Sequence, residues 1–245
     1  MNYEKTQVIP IVESDIFKLN DESQFAIAQV TPKELSDMRE FDGAARLRAN
    51  TYLSEGFVKP EELDENGTEL DDDDIRSNHY LMFERTAVQS LVRVVGNLRL
   101  VTKTDEYSES LPVERYFPES FPELTPIGSV EVSRLIARHE DARVQSMLKW
   151  PMFIAGYKHV IGSDGGPVYG LMTRVLARQL SLQGVPLTSM AEPRYIEEIN
   201  ATKHPVEVDV PRLGRMVDAT GDYGIDVLNN DVSYVDFNYS GKGTL

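Results

Sequence analysis

The stretch Val130-Glu131-Val132-Ser133-Arg134-Leu135-Ile136-Ala137 decides how this chain is read. Its β-branched and apolar residues predict a strand, yet it keeps a carboxylate and a guanidinium. An unpaired buried charge is costly, so Glu131 and Arg134 are expected to meet partners or a polar ligand. On a regular strand the two side chains point to opposite faces, because successive residues alternate. A β-bulge between them would bring both to one side, and bulges are frequent beside active sites.

Working upstream, Ser90-Leu91-Val92-Arg93-Val94-Val95-Gly96-Asn97-Leu98-Arg99-Leu100-Val101 reads as a second strand with a lone Arg99, and His79-Tyr80-Leu81-Met82-Phe83-Glu84 as a third. Three strands in succession predict an antiparallel meander. Before them, residues 56–77 are rich in acid, proline and glycine and include the run Glu69-Leu70-Asp71-Asp72-Asp73-Asp74. A loop this long is uncommon in a compact domain unless it has a function, so it is read as a substrate-covering loop. Glu131 is the candidate base, and Arg99, Arg134, Asp71 and Asp74 form a candidate charge network around it.

The remaining elements follow from caps and periodicity. Residues 1–30 read as an N-terminal extension, irregular apart from a strand over Phe25–Val30. Thr31-Pro32-Lys33-Glu34 opens a helix that carries Leu35 and Met38 inward, and a second helix from Asp42 sets Arg48 beside Tyr52. Leu111 to Pro126 is a proline-broken excursion that should hold no regular element. A helix is predicted over Arg143–Lys158, kinked or divided at Pro151. Another is predicted from Val168 to Gln183, with Val168, Leu171, Met172, Val175, Leu176 and Leu180 on one stripe and Gly184 just beyond. Pro186–Ala191 reads as a strand, Pro193–Ala201 as a short helix, and residues 205–245 as a C-terminal extension with strand and loop mixed. The order predicts an α+β fold, a mixed, mostly antiparallel sheet flanked by helices.

Composition narrows the function. With 245 residues and 41% hydrophobic content the chain can bury a sizeable core, as one large domain or two small ones, and one is favoured. A net charge of −15 opposes nonspecific binding to nucleic acid or anionic membrane. There are no cysteines, which removes disulfides and thiol nucleophiles, and no run of about 18 apolar residues that would span a membrane. With no leader-like N-terminus, a cytoplasmic location is the expectation. His79, His139, His159 and His204 show no ligand spacing, so no metal is expected. Gly-x-Ser-x-Gly, the phosphate-binding loop and Gly-x-Gly-x-x-Gly are all missing.

Taken in order, these residues resemble the acyl-homoserine lactone synthases and the related long-chain N-acyl amino acid synthases, both variants of the GCN5-related acetyltransferase fold. Leu47-Arg48 with Tyr52 matches the first motif of those families, and Glu69-Leu70-Asp71-Asp72-Asp73-Asp74 their Glu-x-Asp-x-x-Asp loop. Gly96 to Leu100 matches Gly-x-x-Arg-Leu, and Glu131 to Arg134 matches Glu-x-Ser-Arg. Gly56-Phe57-Val58 with Pro60, Ser77-Asn78-His79, Leu111-Pro112-Val113-Glu114 and Met190-Ala191-Glu192-Pro193-Arg194 favour the N-acyl amino acid synthases. The resemblance covers residues 41–201.

What the resemblance implies is transfer of a fatty acyl group from an acyl carrier protein or coenzyme A thioester to the amine of a small acceptor, an amino acid in the favoured reading. The alternatives are a lactone synthase using S-adenosylmethionine and a non-catalytic module that binds an acyl group or carrier protein. Glu131 takes the proton in this scheme, its pKa tuned by burial against Arg134, with help from His79. Asp71 and Asp74 hold the acceptor ammonium or tie the loop to Arg48 and Arg134, and Arg99 receives the acceptor carboxylate. The loop motif marks Glu69 and leaves Asp72 and Asp73 as solvated neighbours, Phe57 replaces the lactone synthases' loop tryptophan, and Ser133 lies within the catalytic motif. Met147, Leu148, Trp150, Phe153, Tyr157 and Met172 are the candidate acyl tunnel. Arg174 and Arg178, with Arg138, Arg143, Lys149 and Lys158 before them, are the candidate docking patch for an acidic carrier protein. No tightly bound cofactor is expected, since the usual pyrophosphate loop does not follow Arg134.

Overall fold

The computed structural model describes residues 17–18, 23–30, 42–86, 92–121, 123–162 and 166–219. The expected helix at Thr31, the Ser90-Leu91 start of the arginine strand, residues 1–16 and residues 220–245 lie outside this range. The strands are β1 (Phe17–Lys18), β2 (Ser23–Val30), β3 (Ser77–Thr86), β4 (Val92–Thr102), β5 (Val130–Ala137), β6 (Val168–Met172), β7 (Leu187–Ser189), β8 (Arg194–Ile196) and β9 (Ala201–Val208). The helices are α1 (Asp42–Glu55), α2 (Pro112–Tyr116), α3 (Ala142–Gly162), α4 (Arg174–Leu182) and α5 (Val210–Ala219).

The strands run in the order β1-β2-β3-β4-β5-β6-β9-β7, with β8 paired to β9. β3, β4 and β5 form the expected antiparallel meander. The β5–β6 pairing is parallel and short: Val130, Glu131 and Val132 face Val168, Tyr169 and Gly170, and no further pairs follow. β6 instead continues along β9 as far as Met172 and His204. β5 and β6 therefore part company after Val132 and Gly170, and a wedge opens between them.

One face of the sheet carries the larger core. Leu98 and Leu100 of β4 and Val130 and Val132 of β5 pack there against Leu148, Met152 and Ile154 of α3. Removing one such side chain from water is worth roughly 1.5–3 kcal/mol, which is why this face fixes the register. The opposite face carries α1, which meets Leu81 and Phe83 through Ala44, and α2, whose Val113 joins Val101, Phe117 and Tyr169 in a second apolar cluster.

Three expectations are corrected. Val168–Met172 is strand β6, and the helix begins only at Arg174, where the Thr173 hydroxyl accepts the Leu176 N–H at 3.3 Å. The apolar stripe was ambiguous, because Val168, Gly170 and Met172 also satisfy period 2, and pairing on both sides selects the strand. Residues 193–201 form β8 and a 3₁₀ turn, because Arg194, Tyr195 and Ile196 find edge partners on β9. The excursion from Leu111 holds the short helix α2, started by Pro112 and closed when Glu114 Oε2 accepts the Leu111 N–H. The helix expected over Arg143–Lys158 is α3, which continues past Pro151 with that residue buried within it.

Candidate active site

The β-bulge is present and centres on Arg134. Asn97 pairs with Ile136 and Arg99 with Ser133, so Leu98 alone opposes both Arg134 and Leu135. Arg134 takes up the extra residue with φ 53°, and its carbonyl accepts the Asn97 amide at 3.2 Å. A left-handed backbone at a non-glycine residue costs about 1–3 kcal/mol and persists only where the surroundings impose it. Val132 and Leu135 both turn toward the larger core. Ser133 and Arg134, between them, both turn the other way, onto the face that Glu131 shares.

On that face six side chains close a ring of alternating charge. Arg48 donates from Nε to Glu69 at 2.6 Å and from Nη1 and Nη2 to Asp74 at 2.9 Å each. Arg99 donates from Nη1 to Asp74 at 2.8 Å and to Asp71 at 2.5 Å, and from Nε to Ser133 Oγ at 2.9 Å. Arg134 Nη2 reaches Asp71 and Glu69 at 2.7 Å each. Three carboxylates and three guanidiniums thus satisfy one another, which is what allows Arg48 and Asp74 to be completely buried. Burial alone would raise the Asp71 pKa, but Arg99 and Arg134 overcome it and hold the group at about 2. For Asp74, Arg48 and Arg99 likewise outweigh burial and keep it well below the usual carboxylate range. Asp71 is the carboxylate of the ring that reaches solvent, 32% exposed.

Glu131 stands apart from the ring. Its Oε2 accepts the Val113 N–H at 2.6 Å, and its strand partners Val101 and Tyr169 belong to the second apolar cluster. Burial pushes its pKa up to about 7, against the Val113 bond and Arg99. The expected tuning by Arg134 is therefore replaced by burial beneath α2. Nor is Arg99 open to an acceptor carboxylate, since Asp71, Asp74 and Ser133 already engage it and it is 1% exposed. His79 lies beneath Asp74, its Nε2 3.3 Å from the Asp74 carbonyl, and burial drops it to about 4, so it supports the charge ring as a neutral imidazole.

Asp73 is also corrected. Asp72 is exposed as expected, but Asp73 is buried and pairs with Arg76 at 2.5 Å and Arg115 at 2.5 Å, fastening the acidic loop to α2. The aromatic wall follows the bulge: the Arg134 guanidinium lies 5.3 Å over the Tyr52 ring, whose centroid is 5.9 Å from that of Phe57.

The candidate tunnel residues divide. Leu148 and Met172 belong to the core and Met147 is 48% exposed. Trp150 stacks on Phe153 at 6.4 Å. Phe153 and Tyr157 line an apolar cavity of about 20 Å³ with Val132, Val168 and Leu213, on the α3 side of the sheet where β5 and β6 diverge. Arg174 and Arg178 are exposed on α4. Among the described residues no group of acids and histidines is arranged to hold a metal, and no helix is long and apolar enough to cross a membrane.

Sequence reasoning missed Lys203. Its Nζ sits 4.8 Å over the Phe57 ring, at a rim where Asn200 Nδ2 donates to the Gly56 carbonyl at 2.5 Å. The weak patterning of the chain beyond residue 200 gave no reason to look there; the phenylalanine of the Gly56-Phe57 turn was the available signal.

The mixed, mostly antiparallel sheet with its flanking helices is a GCN5-related acetyltransferase-like fold, similar to that of solved acyl-homoserine lactone synthases and of an N-acyl amino acid synthase. No protein-family model matches the chain, and no curated protein matches it. Among solved structures it is similar to a CoA-dependent acyl-homoserine lactone synthase, BjaI, with a TM-score of 0.58 at 18% identity, over 86% of this chain and 92% of that one. It is similar to the acyl-homoserine lactone synthase LasI, with a TM-score of 0.54 at 15% identity, over 77% of this chain and 91% of that one. The third is FeeM, an N-acyl amino acid synthase from uncultured soil microbes, with a TM-score of 0.52 at 14% identity, over 76% of this chain and 92% of that one.

Proposed function

We propose that the protein is an N-acyltransferase that moves a fatty acyl group from a carrier-protein or coenzyme A thioester to the amine of a small acceptor, an amino acid in preference to S-adenosylmethionine. The observation that carries this reading is Glu131, a buried carboxylate with a pKa of about 7 beside the gap between β5 and β6. A base poised near neutrality can take a proton from an ammonium or from a tetrahedral intermediate.

In this reading the thioester enters the wedge, where backbone N–H groups of β5 with no β6 partner stabilise the oxyanion. The acyl chain points toward the cavity beside Phe153, which must widen to admit it. The acceptor ammonium gives one proton to Glu131, directly or through a water; the neutral nitrogen attacks the thioester carbonyl, the C–S bond breaks as the tetrahedral intermediate collapses, and the second nitrogen proton goes to the departing thiolate. The charge ring holds the acidic loop over this site, and Asp71 is the carboxylate positioned to meet the incoming ammonium. Residues 1–245 act as one acyltransferase domain, and Arg174 and Arg178 meet the carrier protein.

The test incubates purified protein with dodecanoyl carrier protein or dodecanoyl coenzyme A and either amino acids or S-adenosylmethionine, reading products by mass. N-acyl amino acids are expected. Lactone with released methylthioadenosine would overturn the choice of acceptor, and no turnover with a bound thioester would make the protein a binding module.

A further inference from the structure

With Arg99 closed off, recognition of the acceptor's anionic end falls to another cation. The arginines of the site are engaged: Arg48, Arg99 and Arg134 within the ring, Arg76 and Arg115 on Asp73, and Arg138 on Glu55. Lys203 differs from all of them. It makes no hydrogen bond or ion pair among the described residues, and its Nζ lies over the Phe57 ring. Its direction is set by β9: Glu207 pairs with Tyr169, so Lys203, four residues away on a regular strand, shares the face of Tyr169 and Glu131. β6 ends at Met172, opposite His204, so Lys203 stands just past its end, at the mouth of the wedge.

Two further observations point to a ligand there. Burial lowers the Lys203 pKa to about 8 and repulsion from Arg134 adds to this, while Glu55 and Glu131 oppose both without pairing with it. Across the Phe57–Tyr52 pair, Arg134 presents a buried Nε that has no hydrogen-bond partner. Lys203 Nζ, a cation without a counter-charge, and the unpartnered Arg134 Nε thus flank one aromatic wall, and leaving buried donors unpaired costs free energy unless an acceptor reaches them.

We propose that Lys203 receives the carboxylate of the acceptor, so that the acceptor is an α-amino acid type of amine and not a simple alkylamine. This deepens the acyl-transfer reading and rests on it for the identity of the molecule that carries the carboxylate. Lys203 is a binding residue in this scheme and takes no part in proton transfer. The rim bond from Asn200 to Gly56 keeps Phe57, and with it the Lys203 head, in place.

The test uses calorimetry with two product-like probes, N-dodecanoylglycine and the neutral N-dodecanoyl methylamide, on wild type, Lys203→Met and Lys203→Arg. Wild type is expected to prefer the acid by about tenfold or more, as a charge-assisted contact requires. Lys203→Met should erase that preference while leaving the methylamide affinity unchanged, and Lys203→Arg should keep most of it. Equal weakening of both probes in Lys203→Met would make Lys203 a packing residue and overturn the proposal, as would a preference that survives the substitution or is missing from wild type. The two readings fail separately: Lys203-dependent acid binding without thioester turnover sinks acyl transfer alone, and acyl transfer with a preference indifferent to Lys203→Met sinks the carboxylate site alone.

Discussion

Arg99 Nη1 holds Asp74 Oδ1 at 2.8 Å in a place where neither side chain is more than 1% exposed. Asp74 is shared by Arg48 as well, and its Oδ2 accepts the Asp71 N–H at 2.9 Å. One carboxylate therefore joins α1, β4 and the acidic loop.

Asp74→Asn is expected to destabilise the fold by about 3–5 kcal/mol, because it leaves two buried guanidiniums short of counter-charge. Asp71→Asn should cost clearly less, since solvent reaches Asp71 and shares its work. Urea denaturation of the two variants checks the ranking, and equal losses would contradict the central place given to Asp74.

Glu131→Gln should lower kcat by about 10²–10⁴-fold, the usual contribution of a positioned base. In the wild type, kcat/KM should rise with pH and level off above about 7, as Glu131 loses its proton. A pH profile of the residual Gln activity that keeps the same inflection would assign the titration to another group.

Stability should respond to pH with two opposite signs. Glu131 is raised from 4.5 to about 7 on folding, so its stabilising contribution is fully present below 4.5 and is lost as pH climbs through 7. The loss is on the order of 3 kcal/mol. Asp71 is lowered from 3.8 to about 2, so its contribution is present above 3.8 and disappears as pH falls toward 2. Denaturation of wild type between pH 5 and 8 should show the first trend, and Glu131→Gln should flatten it.

Charge reversal of α4, as Arg174→Glu with Arg178→Glu, should reduce kcat/KM with an acyl carrier protein by about tenfold and weaken its salt dependence, leaving an acyl coenzyme A donor unaffected. Steady-state assays with both donors at two salt concentrations decide it.

The parts of this site that the sequence exposed are those where chemistry forbids the neutral outcome. Arg99 and Arg134 sit in apolar strands and must find acids, and the run from Glu69 to Asp74 is where acids are plentiful, so Arg99, Arg134, Asp71 and Asp74 are legible from residue types and their order; Arg48 and the choice of Glu69 come with the family resemblance. The geometry of the ring is not legible: the bulge at Arg134 depends on Leu98 facing two residues, a register fact with no local sequence mark. Asp73 escaped because its partners Arg76 and Arg115 lie in segments read as loop. The strand at Val168 escaped because five residues fit periods of both 2 and 3.6. Lys203 escaped because a lone lysine on a polar strand looks ordinary until its neighbours are known to be spent.

The bond from Asn200 to Gly56 spans 144 positions of sequence. At a synthesis rate of about 5–20 residues per second, roughly 7–30 seconds pass between the making of one partner and the making of the other. The charge ring draws on residues no later than Arg134, and the rim draws on Asn200. The segments that supply the charge ring are therefore all made before the one that closes the rim.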